Sequence, residues 1–194
     1  MASLTTKIGI CNRALQLLGM PTIASITENS RGAKAIIRAY DSVFQAELRS
    51  NTWRFSIKRA NLVADANPVL FGKRQSYTLP GDFLFLAPEE TTRRNPRPRD
   101  WEIEGQAIIS DDPSPINVRY VSTNITESMF DALFAEAFSA SLAMAVCEEL
   151  TNSNTKKTDA RQYYGELISQ ARKRGAMENA PQRAPTCSFI TVRV

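Results

Sequence analysis

The sequence predicts an α+β protein whose helices come from both ends of the chain and whose strands come from the middle. Three observations carry this. Apolar residues recur at intervals of three and four up to residue 50 and again after residue 126. Between those stretches they alternate at period two. The change of period is abrupt, at Asn51 and Thr52. The expected architecture is a four-helix bundle with a small central antiparallel β-sheet domain and an extended C-terminal arm. Residues 1–52 and 126–178 then form the helical domain, 53–125 the β-rich domain and 179–194 the arm.

In the first helix, Leu4, Ile8, Cys11, Leu15 and Leu18 share one face, Thr5 or Thr6 can cap the start, and Gly19 before Pro21 ends it. A linker from Met20 leads to Asn29 and Ser30, candidate N-caps for a second helix carrying Ala33, Ile36, Ile37, Tyr40, Phe44 and Leu48 on one face. The short connection predicts an antiparallel pair. Asn51 tolerates the left-handed conformation and is expected to close the second helix. Trp53, Phe55 and Ile57 then alternate with Arg54, Ser56 and Lys58, the pattern of a half-buried extended segment.

The extended reading continues to Leu62, and Asp65-Ala66-Asn67-Pro68 reads as a loop. Tyr77, Leu79, Phe83, Phe85 and Leu86, interrupted by Pro80-Gly81, predict short strands or a bulged edge, because proline cannot donate to a ladder. TTRRNPRPRD, at residues 91–100, is too rich in proline and arginine for a strand interior and reads as an exposed loop. Trp101 and Ile103 face Ala107, Ile108 and Ile109 across Gly105-Gln106, a hairpin signal. After a turn at Asp111-Asp112-Pro113-Ser114, Ile116, Val118 and Tyr120 alternate again, completing one small antiparallel sheet.

From Thr126 or Ser128 to about Asn152 the pattern is helical, and apolar residues nearly surround the axis, from Met129 and Phe130 to Leu150. Such a helix belongs in the centre of a fold or at a subunit contact. Asn152-Ser153-Asn154 breaks it, and a last helix over about 155–178 carries Ala160, Tyr163, Tyr164, Leu167, Ile168 and Ala171. The tail reads as an extended segment ending in the strand-prone Phe189 to Val194. A terminus of this kind is ordered when a partner ties it down, for instance by adding its strand to another subunit's sheet.

Composition narrows the chemistry. An apolar content of 43% and a charged content of 23% are those of a folded soluble domain, so disorder is not expected. A net charge of +4 is mild, short of the dense positive charge of a dedicated nucleic-acid binder. There is neither an apolar run of membrane-spanning length nor a signal-peptide pattern, so no membrane partner is expected. Cys11, Cys147 and Cys187 are scattered, which fits synthesis in a reducing cytoplasm. Histidine is absent, which excludes Ser-His-Asp and Cys-His catalysis and HExxH zinc chemistry. The glycines form no phosphate-cradling pattern, and no cofactor is expected.

Several side chains have two readings. Arg93, Arg94, Arg97 and Arg99 suit phosphates or the carboxylates of a protein partner, or they form a solvated loop paired with Glu89, Glu90 and Asp100. Glu102, Glu104, Asp111 and Asp112 contain the ingredients of a glycosidase pair, but turn and strand-surface positions explain them as well. Trp53 and Trp101 are core residues or interface anchors. Lys156-Lys157 and Arg172-Lys173-Arg174 read as the solvated face and favourable C-terminal charge of the last helix.

The order of certain pieces resembles a known family. A first helix reading ICNRALQLLG, a second with Tyr40-Asp41, and then WRFSIKRA at 53–60, YTLPGDF at 77–83, WEIEG at 101–105, Arg119-Tyr120-Val121 and FDALFAEA at 130–137 resemble the head-to-tail adaptors of tailed bacteriophages. The likeness is to the tail tubular protein A group of short-tailed phages, and it spans residues 4–175. It implies a structural virion protein rather than an enzyme, made in the host cytoplasm and placed in the tail at the head-to-tail interface. By that resemblance twelve copies form a ring bound to the portal protein on one side and to the distal tail tube or nozzle protein on the other. Genomic DNA passes through the lumen without sequence-specific binding. Cys187, Ser188, Phe189, Ile190, Thr191, Val192, Arg193 and Val194 are then expected at the portal or a neighbouring ring, and Arg93, Arg94, Arg97 and Arg99 at a partner or the lumen. Phe130, Phe134, Phe138 and Leu142 are expected on a subunit-contact helix. The alternatives are a virion peptidoglycan hydrolase, or an adaptor with that side activity, and a DNA-binding module.

Overall fold

A computed structural model of the chain describes residues 6–66, 69, 71–88 and 99–177. Helix α1, Lys7–Leu17, begins at Thr6, whose Oγ1 accepts from the Gly9 amide at 3.1 Å. It ends in a doubly bonded turn: Gly19 N–H donates to Gln16 O and Met20 N–H to Leu15 O, both at 2.9 Å. That closure needs a left-handed residue, and Gly19 supplies it at φ +66°. The Asn12 amide then grips the linker by donating to Ile23 O at 3.0 Å and accepting from Ile23 N at 2.7 Å. Helix α2, Arg31–Ser50, is capped by Ser30.

Asn51 does not close α2 in the left-handed conformation. It is extended, at φ −159°, because Trp53 must turn back to donate its indole N–H to Glu47 O at 2.9 Å. Residues 54–56 are likewise not a strand but one 3₁₀ turn, Arg54–Ser56, closed by Ser56 onto Trp53 O. The strands start after it: β1 Ile57–Leu62, β2 Gln75–Thr78, β3 Phe83–Leu86, β4 Glu102–Glu104, β5 Ala107–Ser110 and β6 Ile116–Ser122. They form two three-stranded antiparallel sheets, β1-β6-β3 and β2-β5-β4, where the sequence predicted one. The chain passes from one sheet to the other at every connection between successive strands except the β4–β5 hairpin, two of these crossings being the short turns Leu79 to Asp82 and Asp111 to Pro115. The Gly105-Gln106 hairpin is as expected, with Glu104 opposite Ala107.

Helix α3, Ala132–Thr151, starts at Asp131, whose carboxylate accepts from Leu133 N. It starts later than its apolar run implied, because Glu127–Met129 is a separate 3₁₀ turn and Phe130 beyond it is extended. Asn152 takes the left-handed closing role, at φ +49°. Helix α4 is Asn154–Met177. The expectation of a central helix holds: α3 lies against α1, α2 and α4, while α1 and α2 scarcely meet, so they are not the hairpin their short linker suggested. One hydrophobic core joins the four helices, Trp53 and Val121, and a second holds Tyr77, Leu79, Ile108, Ile116 and Val118 between the sheets.

Candidate functional site

Among the described residues Arg13, Glu136 and Tyr163 join α1, α3 and α4, and two further places join side chains from several elements. The first is a polar knot at Asp82, in the β2–β3 turn. Its carboxylate accepts from Lys58 Nζ on β1 at 2.8 Å and, on β6, from Ser122 Oγ at 2.7 Å and Tyr120 Oη at 3.0 Å. The Lys58 contact leads in lowering the Asp82 pKa to about 2, while burial beside that carboxylate pushes the Tyr120 phenol up to about 12. These states fix the knot as an anion held by three donors. It ties β1, β6 and the turn together.

The second is a cleft of about 210 Å³ at the Trp53 corner, formed where the end of α2, the 3₁₀ turn, the start of α3 and the end of α4 meet. Arg54, Arg172 and Arg174 line it, with Asn51, Thr52 and Asp131. One layer deeper, Glu47 is buried and accepts from Tyr164 Oη at 3.0 Å. Burial raises the Glu47 pKa, opposed by hydrogen bonds from Ser141 and Tyr164 and by the charge of Arg172. Three guanidinium groups around one cleft suit an anionic group, a carboxylate or a phosphate. Sequence reading treated Arg54 as the polar side of a strand and Arg172 and Arg174 as helix-end charge; only the tertiary fold joins residues this far apart.

The residues singled out from sequence are dispersed. Arg99 sits over the Trp101 ring at 4.3 Å and donates to Asn117 O. Arg93, Arg94 and Arg97, Glu89 and Glu90, and the tail residues 187–194 lie outside the described residues. The four carboxylates do not converge as a pair. Glu102 pairs with Lys73, Asp111 accepts from Arg74 N, Asp112 accepts from the Trp101 indole at 2.6 Å, and Glu104 is exposed. Asp100 pairs with Lys73.

Phe134, Phe138 and Leu142 are fully buried inside their own chain. Phe134 meets Trp53, Phe55 and Phe130, and Phe138 meets Tyr40 and Phe44. Their side chains are therefore covered within the chain, while Phe130, the fourth residue of the expected contact helix, is half-buried beside them. Trp53 is core, as its alternation suggested. Cys11 and Cys147 are buried, and burial pushes the Cys11 thiol up to about 11. Among the described residues no group of metal-ligating side chains forms, and no helix is long and apolar enough to cross a membrane.

These features define a mixed α+β protein built on a central apolar helix, with a basic cleft at its helix–sheet corner. No protein-family model matches the chain, and no curated protein matches it.

Proposed function

We propose that the chain is a head-to-tail adaptor of a tailed phage, whose copies form a ring between the portal and the distal tail and conduct DNA through its lumen. The supporting observation is where the resembling pieces fall. Residues 53–60 make the helix–sheet corner, 77–83 the Asp82 turn, 101–105 the β4 hairpin, 119–121 the shared central strand and 130–137 the entry to α3. They are the joints of this architecture, so their order and spacing encode its connectivity.

In this reading the four helices act as one bundle. With the phenylalanines committed to the interior, lateral contacts fall to the shallow outer surface between α2 and α3, where Val43, Ala46, Met144 and Ala145 lie. The arginines at the Trp53 corner face an acidic surface of the portal or of a neighbouring copy. The tail completes the grip on the portal.

Light scattering of the purified protein, alone and mixed with portal rings, tests this. The expected result is a 21.6 kDa monomer that joins the portal in equal copy number. A stable monomer that ignores the portal refutes the reading and directs attention to release of soluble fragments from peptidoglycan. Removing residues 179–194 should leave a folded chain that no longer joins the portal; unchanged joining would remove the tail from the interface.

A further inference from the structure

Helix α2 begins against its own dipole. Its first turn contains no acidic residue, and Arg31, Lys34 and Arg38 place three cations in its first two turns, at the end where free backbone amides already carry partial positive charge. The end of α3 is opposed in the other sense, since it carries Glu148 and Glu149 and its last turn has no basic residue. The two ends answer each other in part. Arg31 donates to the Glu149 backbone oxygen and Arg38 to the Glu149 carboxylate, while Arg38 Nε also donates to Lys34 O at 3.3 Å. These bonds account for both arginines. They do not account for Lys34, which is exposed and whose ammonium has no hydrogen bond or ion pair among the described residues. A charge that breaks a local rule without a compensating contact marks a place shaped by function.

Lys34 lines a cleft of about 730 Å³ between the α1–α2 linker, the start of α2 and the end of α3. That volume lies in the range of roughly 300–1,000 Å³ usual for ligand clefts. Ile26 and Ile37, both half-buried, supply its apolar wall, and Arg31, Lys34 and Arg38 its basic rim. Glu28 is also there, but its carboxylate turns back to accept from the Ala24 amide at 2.9 Å, and Glu149 is held by Arg38. Lys34 is thus the charge left over for a ligand.

An apolar wall beside a cation selects an anionic group joined to an apolar one. Nucleic acid fits this poorly, because its backbone would carry an unbroken row of phosphates past Glu28 and Glu149. A peptide fits better. It can set one carboxylate on Lys34 and an apolar side chain on the isoleucines, and its backbone has both donors and acceptors for the Asn29 amide on the same wall. The cleft lies about 30 Å along α2 from the Trp53 corner, so it is a surface distinct from the arginine cleft there.

We propose that this cleft binds an acidic peptide segment of a partner protein, seating an apolar side chain on Ile26 and Ile37 and a carboxylate on Lys34. In the free chain the Lys34 charge opposes the head of α2; in the complex the same charge is the anchor. The proposal rests on the cleft alone and not on the adaptor reading.

Fluorescence anisotropy of the full-length protein with a fluorescein-labelled peptide of alternating glutamate and leucine, at low salt, provides the test. Saturable binding is expected. The same peptide with serine in place of leucine should bind more weakly by about tenfold or more, because the apolar wall is left uncovered. Lys34→Glu should weaken binding of the leucine peptide by about tenfold or more, and Lys34→Arg should keep it within about threefold. Lys34→Glu also replaces a cation by an anion at the helix start, so its melting midpoint should equal or exceed that of the parent, a sign opposite to that of a purely structural lysine. No saturable binding to the parent, equal binding of the serine peptide, undiminished binding in Lys34→Glu or a lower melting midpoint in that variant would each overturn the proposal. Tighter binding of a thymidylate oligonucleotide would overturn it too, since the cleft would then be reading phosphate. A chain that fails to join portals would leave peptide binding intact, whereas absent peptide binding with portal joining preserved removes only this site.

Discussion

Asp82→Asn isolates the knot that holds β1, β6 and the β2–β3 turn together. The carboxylate ordinarily titrates near 3.8 and is held at about 2 in the fold. Its folded pKa is depressed, so the stabilisation is present above the unfolded value and is lost as pH falls through the folded one. At about 1.4 kcal/mol per pH unit the separation corresponds to roughly 2 kcal/mol. Lys58 is 41% exposed, and solvent screening of that partner brings the expected contribution to about 1.5 kcal/mol. For a chain of this size that is a melting shift of about 3–6 °C. The assay is urea unfolding of both proteins, followed by tryptophan fluorescence, at pH 7, 5, 3 and 2. The variant should be less stable by about 1.5 kcal/mol at pH 7 and 5, about half that at pH 3, and nearly equal to the parent at pH 2. A difference that stays constant from pH 7 to pH 2 would refute the reasoning, because it would mean that shape rather than ionisation carries the effect.

Other perturbations have equally definite outcomes. Phe134→Ala removes a fully buried ring in contact with Trp53, Phe55 and Phe130, and should cost about 3–5 kcal/mol in chemical denaturation. Gly19→Ala forces a side chain into φ +66° with its Cβ 3.3 Å from Lys156 Nζ, which itself donates to Leu18 O; a loss of about 1 kcal/mol is expected in thermal melts. Arg174→Glu changes an exposed charge at the Trp53 corner that is not among those acting on Glu47, and should alter stability by less than about 0.5 kcal/mol. In the adaptor reading it should reduce portal joining in the light-scattering assay, and undiminished joining would remove the cleft from the contact.

Much of the fold was legible because periodicity reports burial directly. The apolar surround of α3 announced a central helix, and Thr6, Ser30 and Gly19 marked the helix ends through local chemistry that tertiary contacts did not override. The errors have physical causes. Asn51 has the right side chain for a left-handed closure, but the Trp53 indole reaching for Glu47 O required an extended residue there. Alternation across Trp53, Phe55 and Ile57 cannot separate a strand from a 3₁₀ turn whose aromatics both reach the same core. The division into two sheets depends on the chain crossing between them at every strand connection but the β4–β5 hairpin, a fact of pairing rather than of pattern. The basic cleft was hidden because its arginines come from residues 54, 172 and 174, which only the closed fold unites. The buried face of α3 was legible as apolar but not as intramolecular, since a core and an interface have the same composition.

The contact of α1 and α2 with α3 rather than with each other also has a temporal side. About 80 residues separate Ser50 from Ala132, so a ribosome working at roughly 5–20 residues per second leaves both N-terminal helices without their main packing partner for about 4–16 s. During that interval Phe44 lacks the Phe138 ring that later packs on it. The sheets can assemble in the waiting time, since their strands all emerge before α3. Newly made chains are therefore most exposed to self-association before synthesis is complete, and slowing translation across the strands would lengthen the exposure of the helices rather than assist them.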